Sequence, residues 1–315
     1  MNTPTPLPLL KPKALKKGDT IAIVSPAKPS PMETLTEGVT WLESQGFKAK
    51  LMPNAHRNTG YLAGTDAQRL ADLVAAFEDP TIDAILCARG GYGSGRLLPQ
   101  FPFEVVANNP KLFMGFSDIT LLLNAFHQQT GLVGFYSPML TSNLIQADQV
   151  FTRQEWLRTV TEQALAPNFK INSIDNYTCF QGGTVQGKLV GGNLSLLCSL
   201  CGTPWQPNFE GGILFLEDWH EHYYTLDRKF TQLEQSGMLK GIVGLLLCDF
   251  SEIPEEPSES LTQHLKKLTQ HLNIPAGYGF SVGHGFQTAT LPIGVQAVLT
   301  AEVGCLTLAE PPVLP

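Results

Sequence analysis

The sequence predicts an α/β fold whose N-terminal half is built on a parallel β-sheet. Apolar runs of strand length alternate there with segments whose apolar residues recur every three or four positions, as in an amphipathic helix. Such an alternation is typical of parallel sheets covered by helices on both faces. Length is a further observation, because 315 residues are more than one hydrophobic core usually holds, and we therefore expect two lobes.

Strand-like and helix-like segments follow one another through the first part of the chain. Buried strands are predicted at 19–26, 47–53, 82–91 and 111–116, and amphipathic helices at 32–46, 66–79 and 119–131. Asp66 is the expected N-cap of the second helix, because its carboxylate can accept a hydrogen bond from a free N–H of the first turn. Ligands of parallel sheets bind beyond the carboxyl ends of the strands, and the polar segments 87–96 and 115–120 fall there.

The alternation weakens after about residue 140, and a second lobe is expected to follow. The predicted elements are a helix at 191–202, a strand at 211–218, a helix at 223–237, a buried strand at 241–250 and a closing hairpin at 294–310. The helix at 223–237 would place four apolar side chains on one face, namely Tyr223, Leu226, Phe230 and Leu233. We divide the chain into an N-terminal lobe at 1–145, a connector at 146–187 and a C-terminal lobe at 188–315.

Charge and hydropathy argue against several classes of function. The net charge of −7 comes without a basic cluster, so nucleic acid is not expected as a partner. No apolar run is long enough to span a membrane. The N-terminal lysines follow the apolar patch rather than precede it, which is the wrong order for a signal peptide. A cytoplasmic protein is therefore expected.

Neither the cysteines nor the histidines form a complete metal motif. Cys198 and Cys201 make one C-x-x-C inside an apolar, helix-like run, whereas a zinc ribbon needs a second such pair, so packing in the core is favoured. His220 and His222 lie in an H-E-H segment without a third ligand, and a solvated loop is favoured there. We therefore expect no metal site.

Ser117, in the segment GFSDIT, follows a predicted strand and precedes a predicted helix. These residues alone favour an N-cap, because a serine hydroxyl readily accepts a hydrogen bond from the first turn of a helix. A nucleophile is the alternative, since a hydroxyl at a strand-to-helix turn projects into the cleft beside free helix N–H groups that can stabilise an oxyanion. The G-x-S-x-G of the nucleophile elbow is absent.

The segment CARGGYGSGR resembles a phosphate-binding loop only superficially. It matches neither G-x-x-x-x-G-K-[ST] nor a clean G-x-G-x-x-G, so nucleotide binding is disfavoured. Its glycines suit close backbone approach, and an N–H of Gly90 or Gly91 could point at a substrate oxygen. Arg89 or Arg96 could bind a carboxylate with both guanidinium N–H pairs, and a structural salt bridge is an equal alternative.

Two further residues in the second half could take part in catalysis. Glu217 ends an apolar strand, where an acidic residue is as often a turn former. His284 stands between two glycines, which suits a backbone that turns sharply to aim the ring, although a lone histidine more often has a structural role. Together with Ser117, these residues could supply the base, the orienting acid and the nucleophile of a triad.

The motifs ARGGYGSGR, GFSDIT, GGNLSLL, FLED and GHG occur in the order seen in the LD-carboxypeptidases of peptidase family S66. The sequence resembles this family over nearly its whole length, from about Gly18 to Glu310. The family includes muramoyltetrapeptide carboxypeptidases and microcin C self-immunity hydrolases. The resemblance implies a flavodoxin-like N-terminal lobe and a smaller, mostly β C-terminal lobe.

The same resemblance assigns roles to residues of this chain. It implies Ser117 as nucleophile and N-cap together, Glu217 as triad acid and His284 as base. The N–H groups of Asp118 and Gly91 would form the oxyanion hole. Independently of the resemblance, we expect Arg89 or Arg96 to bind the free carboxylate of the substrate, because both flank the glycine loop and a planar guanidinium matches a carboxylate. No metal or other cofactor is implied.

The implied activity is that of a serine carboxypeptidase, a hydrolase that removes the terminal D-alanine from murein tetrapeptides during peptidoglycan recycling. A cytoplasmic homodimer is expected from the family. The alternative within the family is a microcin C-type hydrolase of peptidyl or aminoacyl nucleotides, which tends to have a longer connector with aromatic residues. A catalytically silent binding module is the alternative of another class, and the presence of Ser117, Glu217 and His284 argues against it.

Overall fold

The structure is a computed structural model that describes residues 7–172 and 177–315. Within these residues the chain forms one sheet of six strands and one of eight. The strands are β1 (Thr20–Val24), β2 (Lys48–Leu51), β3 (Ala84–Cys87), β4 (Leu112–Gly115), β5 (Phe135–Tyr136), β6 (Lys170–Asn172), β7 (Thr178–Gln181), β8 (Thr184–Asn193), β9 (Gly212–Trp219), β10 (Gly244–Ser251), β11 (Ala276–Tyr278), β12 (Leu291–Pro292), β13 (Gln296–Thr300) and β14 (Cys305–Leu308). The α-helices are α1 (Met32–Ser44), α2 (Asp66–Glu78), α3 (Phe103–Asn108), α4 (Thr120–Thr130), α5 (Val150–Val160), α6 (Leu194–Leu200), α7 (Tyr223–Gln235) and α8 (Leu261–Thr269).

The six-stranded sheet has the order β12-β5-β4-β3-β1-β2. Strands β1 to β5 are parallel, and β12 pairs with β5 in the antiparallel sense. The order β2-β1-β3-β4-β5 is that of flavodoxin-like folds, so the predicted architecture of this half is confirmed. Strands β3 and β4 are buried throughout because helices cover both faces of such a sheet, which explains their continuous apolar runs.

The N-terminus of α2 differs from the prediction by one residue. The N-cap is Thr65, whose hydroxyl accepts a hydrogen bond from the Gln68 N–H while the Gln68 side chain accepts one from the Thr65 N–H. This reciprocal pair satisfies two N–H groups at once, which a cap at Asp66 would not do. Asp66 is instead the first helical residue, and its carboxylate binds arginine side chains.

The eight-stranded sheet has the order β6-β14-β13-β8-β9-β10-β11-β7. Its central strands β8 to β11 are parallel, and antiparallel strands flank them. The predicted hairpin is confirmed as β13 and β14. The predicted face of α7 is confirmed as well, because its buried residues are Tyr223, Leu226, Phe230 and Leu233.

The two sheets pack around a common hydrophobic core. One cluster of buried side chains includes Phe113 of β4, Phe215 of β9 and Leu246 of β10. A smaller cluster lies between the eight-stranded sheet and the helices on its outer face, with Leu226 of α7 and Leu265 of α8 among its members. The shared core fixes the carboxyl end of β4 relative to those of β8, β9 and β10.

The remaining predictions concern cysteines and membrane segments. Cys198 is buried in α6 and belongs to the smaller core cluster, and Cys201 is half-buried directly after the helix, so the predicted packing in the core is observed for this pair. Among the described helices, none combines the length and the apolar character that a bilayer requires. Residues 1–6, which belong to the predicted N-terminal lobe, and residues 173–176, which belong to the predicted connector, lie outside the described ranges.

Candidate active site

Three side chains that lie far apart in the chain meet in one hydrogen-bonded row. Ser117 Oγ lies 3.2 Å from His284 Nε2, and His284 Nδ1 lies 2.6 Å from Glu217 Oε2. Ser117 follows β4, Glu217 lies near the end of β9, and His284 lies in the loop between β11 and β12. The row joins the six-stranded sheet to the eight-stranded sheet where parallel strands of both end.

Ser117 has a backbone conformation that residues other than glycine seldom adopt. Its φ is +59°, and it is the first residue of a 3₁₀ turn, Ser117–Ile119, that leads into α4. Within the described structure its hydroxyl caps neither the turn nor α4, so the expected N-cap role is wrong. A capping residue has extended backbone that returns its side chain to the helix N–H groups, whereas the hydroxyl here meets His284. A strained strand-to-helix turn is also the geometry of the nucleophile elbow.

The Glu217 carboxylate is completely buried and receives three hydrogen bonds. Oε2 accepts a hydrogen bond from His284 Nδ1. Oε1 accepts hydrogen bonds from the Tyr136 hydroxyl at 2.6 Å and from Asn193 Nδ2 at 2.9 Å. The Tyr136 oxygen also accepts a hydrogen bond from the Ser117 backbone N–H at 3.3 Å. Tyr136 therefore ties the turn that carries Ser117 directly to Glu217. Burial and the nearby Glu217 hold the Tyr136 pKa well above its usual value, so the phenol remains a donor.

Asp218 and its hydrogen-bond partners hold the side chain of Asn193 in place. Asn193 Nδ2 also lies 3.1 Å from Asp218 Oδ1, and Asp218 Oδ2 accepts hydrogen bonds from Ser195 Oγ at 2.7 Å and Lys229 Nζ at 3.1 Å. Burial raises the Asp218 pKa, and Lys229 opposes that effect. Neither Tyr136 nor Asn193 is predicted as a site residue from the sequence, although Asn193 stands in the motif GGNLSLL.

The two glycines beside His284 make room for two carboxyl groups. Gly283 has φ +126°, and a Cβ there would lie 2.5 Å from Glu217 Oε2. A Cβ on Gly285 would lie 2.7 Å from the carboxyl of Asp249. Any larger residue at either position would push a carboxyl away from the imidazole. This close approach, together with the positive φ of Gly283, is why glycine flanks His284.

Aromatic rings enclose the His284 imidazole. Its ring stacks on Trp219 at a centroid distance of 5.7 Å and an angle of 17°, and Phe116 packs against it at 4.9 Å. Burial lowers the His284 pKa, but the charge and hydrogen bond of Glu217, with smaller contributions from Asp218 and Asp249, raise it above its usual value. The surroundings therefore favour the imidazolium.

The glycine loop 89–96 lies against the Ser117 turn. A Cβ on Gly90 would lie 2.9 Å from Ser117 Cβ, so glycine permits this approach. The buried Asp118 carboxylate accepts a hydrogen bond from the Ser94 N–H at 2.8 Å, and the Ser94 hydroxyl donates to the Asp118 carbonyl at 2.6 Å. These bonds fix the loop, which contains Gly91, to the segment that begins α4.

The two arginines of this loop have different surroundings. Arg96 forms a bidentate salt bridge to Asp66, with Nε and Nη2 each within 3.0 Å of a carboxylate oxygen. This is the structural salt bridge that the sequence left open as the alternative to substrate binding. Arg89 is half-buried, and none of the ion pairs found between described residues involves it.

The H-E-H segment shows no arrangement suited to a metal ion. His220 is largely exposed and lies 3.7 Å from a carboxylate oxygen of Glu252, and His222 precedes the first turn of α7. Across residues 7–172 and 177–315, no group of three or more His, Cys, Asp or Glu side chains is placed to hold a metal. The described side chains therefore offer no candidate metal centre.

Comparison with known proteins places the chain among carboxypeptidases. A family model described as the LD-carboxypeptidase N-terminal domain matches residues 21–137, and one described as the C-terminal domain matches residues 186–299. A Bacillus subtilis protein named probable murein peptide carboxypeptidase is 40% identical over 298 residues, which cover 93% of this chain and 92% of that protein.

Solved structures show the same fold. The muramoyltetrapeptide carboxypeptidase from Oxalobacter formigenes superposes with a TM-score of 0.81 at 33% identity, covering 92% of this chain and 97% of that one. The structure of MccF in complex with glutamyl sulfamoyl guanosine has a TM-score of 0.90 at 24% identity, covering 97% and 100% of the two chains. At that identity the second comparison bears on the fold alone.

Proposed function

This chain belongs to the LD-carboxypeptidase family, peptidase family S66, and we propose that it is a serine carboxypeptidase that acts on murein tetrapeptides. The scissile bond is the L,D peptide bond between the diamino acid and the terminal D-alanine. The observation that carries the proposal is the row of hydrogen bonds from Ser117 through His284 to Glu217. The names of the Bacillus and Oxalobacter relatives support the substrate class.

In the first step, Ser117 Oγ attacks the carbonyl carbon of the diamino acid while His284 Nε2 accepts the hydroxyl proton. Glu217 accepts the hydrogen bond from Nδ1–H, so the lone pair is held on Nε2, and its charge stabilises the imidazolium. His284 then donates the proton to the nitrogen of D-alanine as the C–N bond breaks. The products of this step are free D-alanine and an ester of Ser117.

In the second step, water attacks the ester carbonyl and gives a proton to His284 Nε2. The ester bond breaks, and His284 returns the proton to Ser117 Oγ. Tyr136 and Asn193 keep Glu217 in place through both steps, because their hydrogen bonds leave Oε2 directed at His284. Substrate and one water molecule are the only reactants that the two steps require beside the residues of the chain.

The developing oxyanion needs donors close to Ser117. We assign them to the N–H groups of Asp118 and Gly91, because Asp118 directly follows the nucleophile in the 3₁₀ turn that leads into α4, and the loop of Gly91 is bonded to Asp118 through Ser94. We assign the free carboxylate of the substrate to Arg89, since its guanidinium forms no salt bridge with any residue that the structure describes, whereas that of Arg96 binds Asp66.

The organisation of the molecule forms part of the same proposal. Ser117 comes from the N-terminal lobe at 1–145, and Glu217 and His284 come from the C-terminal lobe at 188–315, joined by the connector at 146–187. We further propose a cytoplasmic homodimer that works in peptidoglycan recycling. Sedimentation velocity at several concentrations tests the dimer, and a single monomeric species throughout would refute it.

The alternative within the family is hydrolysis of peptidyl or aminoacyl nucleotides. One observation favours it: Tyr61 packs against Tyr92 of the glycine loop at a centroid distance of 5.9 Å, and both rings remain more than half exposed, so that a nucleobase could stack on them. The muropeptide assignment has the closer relatives in sequence, and we retain it as the main proposal.

Two substrates separate these proposals. The protein is incubated with L-Ala-D-Glu-(diamino acid)-D-Ala and, separately, with an aminoacyl sulfamoyl adenylate, and the products are followed by mass spectrometry. Ser117→Ala is the matched control, since it removes one oxygen. Release of D-alanine alone by the unmodified protein is expected. Cleavage of the adenylate alone would favour the alternative, and cleavage of neither would indicate a binding module.

A further inference from the structure

Asp249 is a second carboxyl beside the candidate base, and a β-bulge places it there. In the parallel pairing of β9 with β10, Leu247 is opposite Leu216 and Phe250 is opposite Asp218. Two residues of β10, one of them Asp249, therefore lie opposite the single residue between Leu216 and Asp218. Bulges are rare in parallel pairs and are common next to active sites, where they re-aim a side chain.

The carboxyl group of Asp249 is held in an unusual environment. Its Oδ2 atom is buried and has no hydrogen-bond partner among the residues that the structure describes. The backbone of Gly285 is so close that a Cβ there would lie 2.7 Å from Oδ2. Burying a carboxyl without a full set of partners costs stability, so an apolar residue would serve the fold better at this position.

We propose that Asp249 is a positioning residue for His284, held by the bulge so that its carboxyl supports the 283–285 backbone and places a second negative charge near the imidazole. This inference rests on the proposed role of His284 as general base. When His284 accepts the proton of Ser117, the imidazolium then faces Glu217 directly and Asp249 at longer range.

The titration of the groups around Asp249 agrees with this role. Burial raises the Asp249 pKa to about 7, and the charge of Glu217 on β9 acts in the same direction. The Gly285 N–H and the charge of His284 lower it. From the β11 side, Tyr278 faces Asp249, and burial together with this carboxyl raises the Tyr278 pKa to about 12, so the phenol is neutral. Asp249 therefore gains its negative charge as the pH rises through neutrality, and this charge and that of the His284 imidazolium favour each other.

The direct test is the pKa of His284 in the intact protein, measured by NMR of labelled histidine. The imidazole signals of the seven histidines are followed through a pH titration, and the His284 signal is assigned by its loss in His284→Ala. In Asp249→Asn, which keeps the size and an acceptor oxygen, the His284 pKa should fall by roughly 0.5–1 unit because a nearby negative charge is lost. Asp148→Asn, an exposed change, should leave it unaltered.

This measurement needs no substrate, so it succeeds or fails independently of the proposed reaction. If Asp249→Asn does not fold, Asp249→Ser supplies a smaller neutral side chain for the same titration. An unchanged His284 pKa in the folded variant would overturn the inference and leave Asp249 a structural residue. With an active substrate, the acid limb of kcat/KM should move to lower pH in Asp249→Asn, since the base loses its proton more easily.

Discussion

Two glycine-containing loops border the candidate nucleophile, and their glycines serve different purposes. The loop at 89–96 is fixed by its neighbours, because Ser94 binds both the side chain and the carbonyl of Asp118. The loop at 282–287 carries His284, which is hydrogen-bonded to Glu217, and its glycines leave room for two carboxyls. In the loop at 89–96, Gly90 lets the backbone approach the side chain of Ser117. In the loop at 282–287, Gly283 and Gly285 let the backbone approach the carboxyls of Glu217 and Asp249.

This difference predicts which substitutions change the rate of the chemical step and which change substrate binding or stability. Changes around 282–287 should lower the rate of the chemical step, because they disturb the acid and the base. Changes around 89–96 should alter substrate binding or the stability of the loop.

Apart from changes to Ser117 and His284 themselves, the largest effect is expected from Glu217→Gln, on the side of His284. The amide cannot supply the negative charge that stabilises the imidazolium, so kcat should fall by about 10²–10⁴-fold. Steady-state kinetics on the tetrapeptide measure it, with the exposed Glu104→Gln as matched control. A loss of less than about tenfold would remove Glu217 from the proposed triad.

Gly283→Ala tests the close approach to Glu217. The new Cβ would lie 2.5 Å from Oε2, so the carboxylate must move from His284, and kcat should fall about 100-fold. Gly202→Ala is the matched control, since Gly202 also has a positive φ but nothing lies within 4 Å of its Cβ position. Both variants should lose thermal stability. Equal kcat values for the two would show that backbone strain, not carboxylate placement, explains the glycine.

The sequence predicts the strands and the three central residues better than it predicts the residues that support them. Apolar runs identify β3 and β4 because burial on both faces demands them. Tyr136 and Asp249 carry no comparable signal, since β5 has only two residues and the bulge in β10 appears only when the strands are paired. The sequence alone does not locate the N-cap of α2, because Thr65 and Asp66 are both good capping residues. The hydrogen bond from the Gln68 N–H to the Thr65 hydroxyl decides between them.

In the loop at 89–96, we expect Arg89 to bind the substrate and Arg96 to hold the loop in place. Arg89→Ala should lower kcat/KM for the free-acid substrate by about 10- to 100-fold, because a charged hydrogen bond to the carboxylate is lost. The same change should have little effect on kcat/KM for the C-terminal amide of the substrate, which has no carboxylate for Arg89 to bind. Arg96→Ala removes the salt bridge to Asp66 and should preserve the preference for the free acid. If the preference survives in both variants, another group reads the carboxylate.

The smallest effect is expected from chelators and thiol reagents. Burial raises the pKa of the Cys87 and Cys248 thiols well above their usual value, so neither is a reactive thiolate, and the proposed steps use no metal. Activity on the tetrapeptide should stay within about twofold after treatment with EDTA or iodoacetamide. Loss with EDTA and recovery with zinc would instead indicate a metallopeptidase.

The central claim is that Ser117 and His284, brought together from two sheets, act as one unit. A double-mutant cycle on kcat tests it most directly. Ser117→Ala and His284→Ala should each lower kcat by about 10⁴-fold or more, and the double variant should lose little beyond either single change, because the remaining residue has no partner to act with. Circular dichroism checks that all three variants are folded. Multiplied losses in the double variant, or a His284→Ala protein near full activity, would contradict the account.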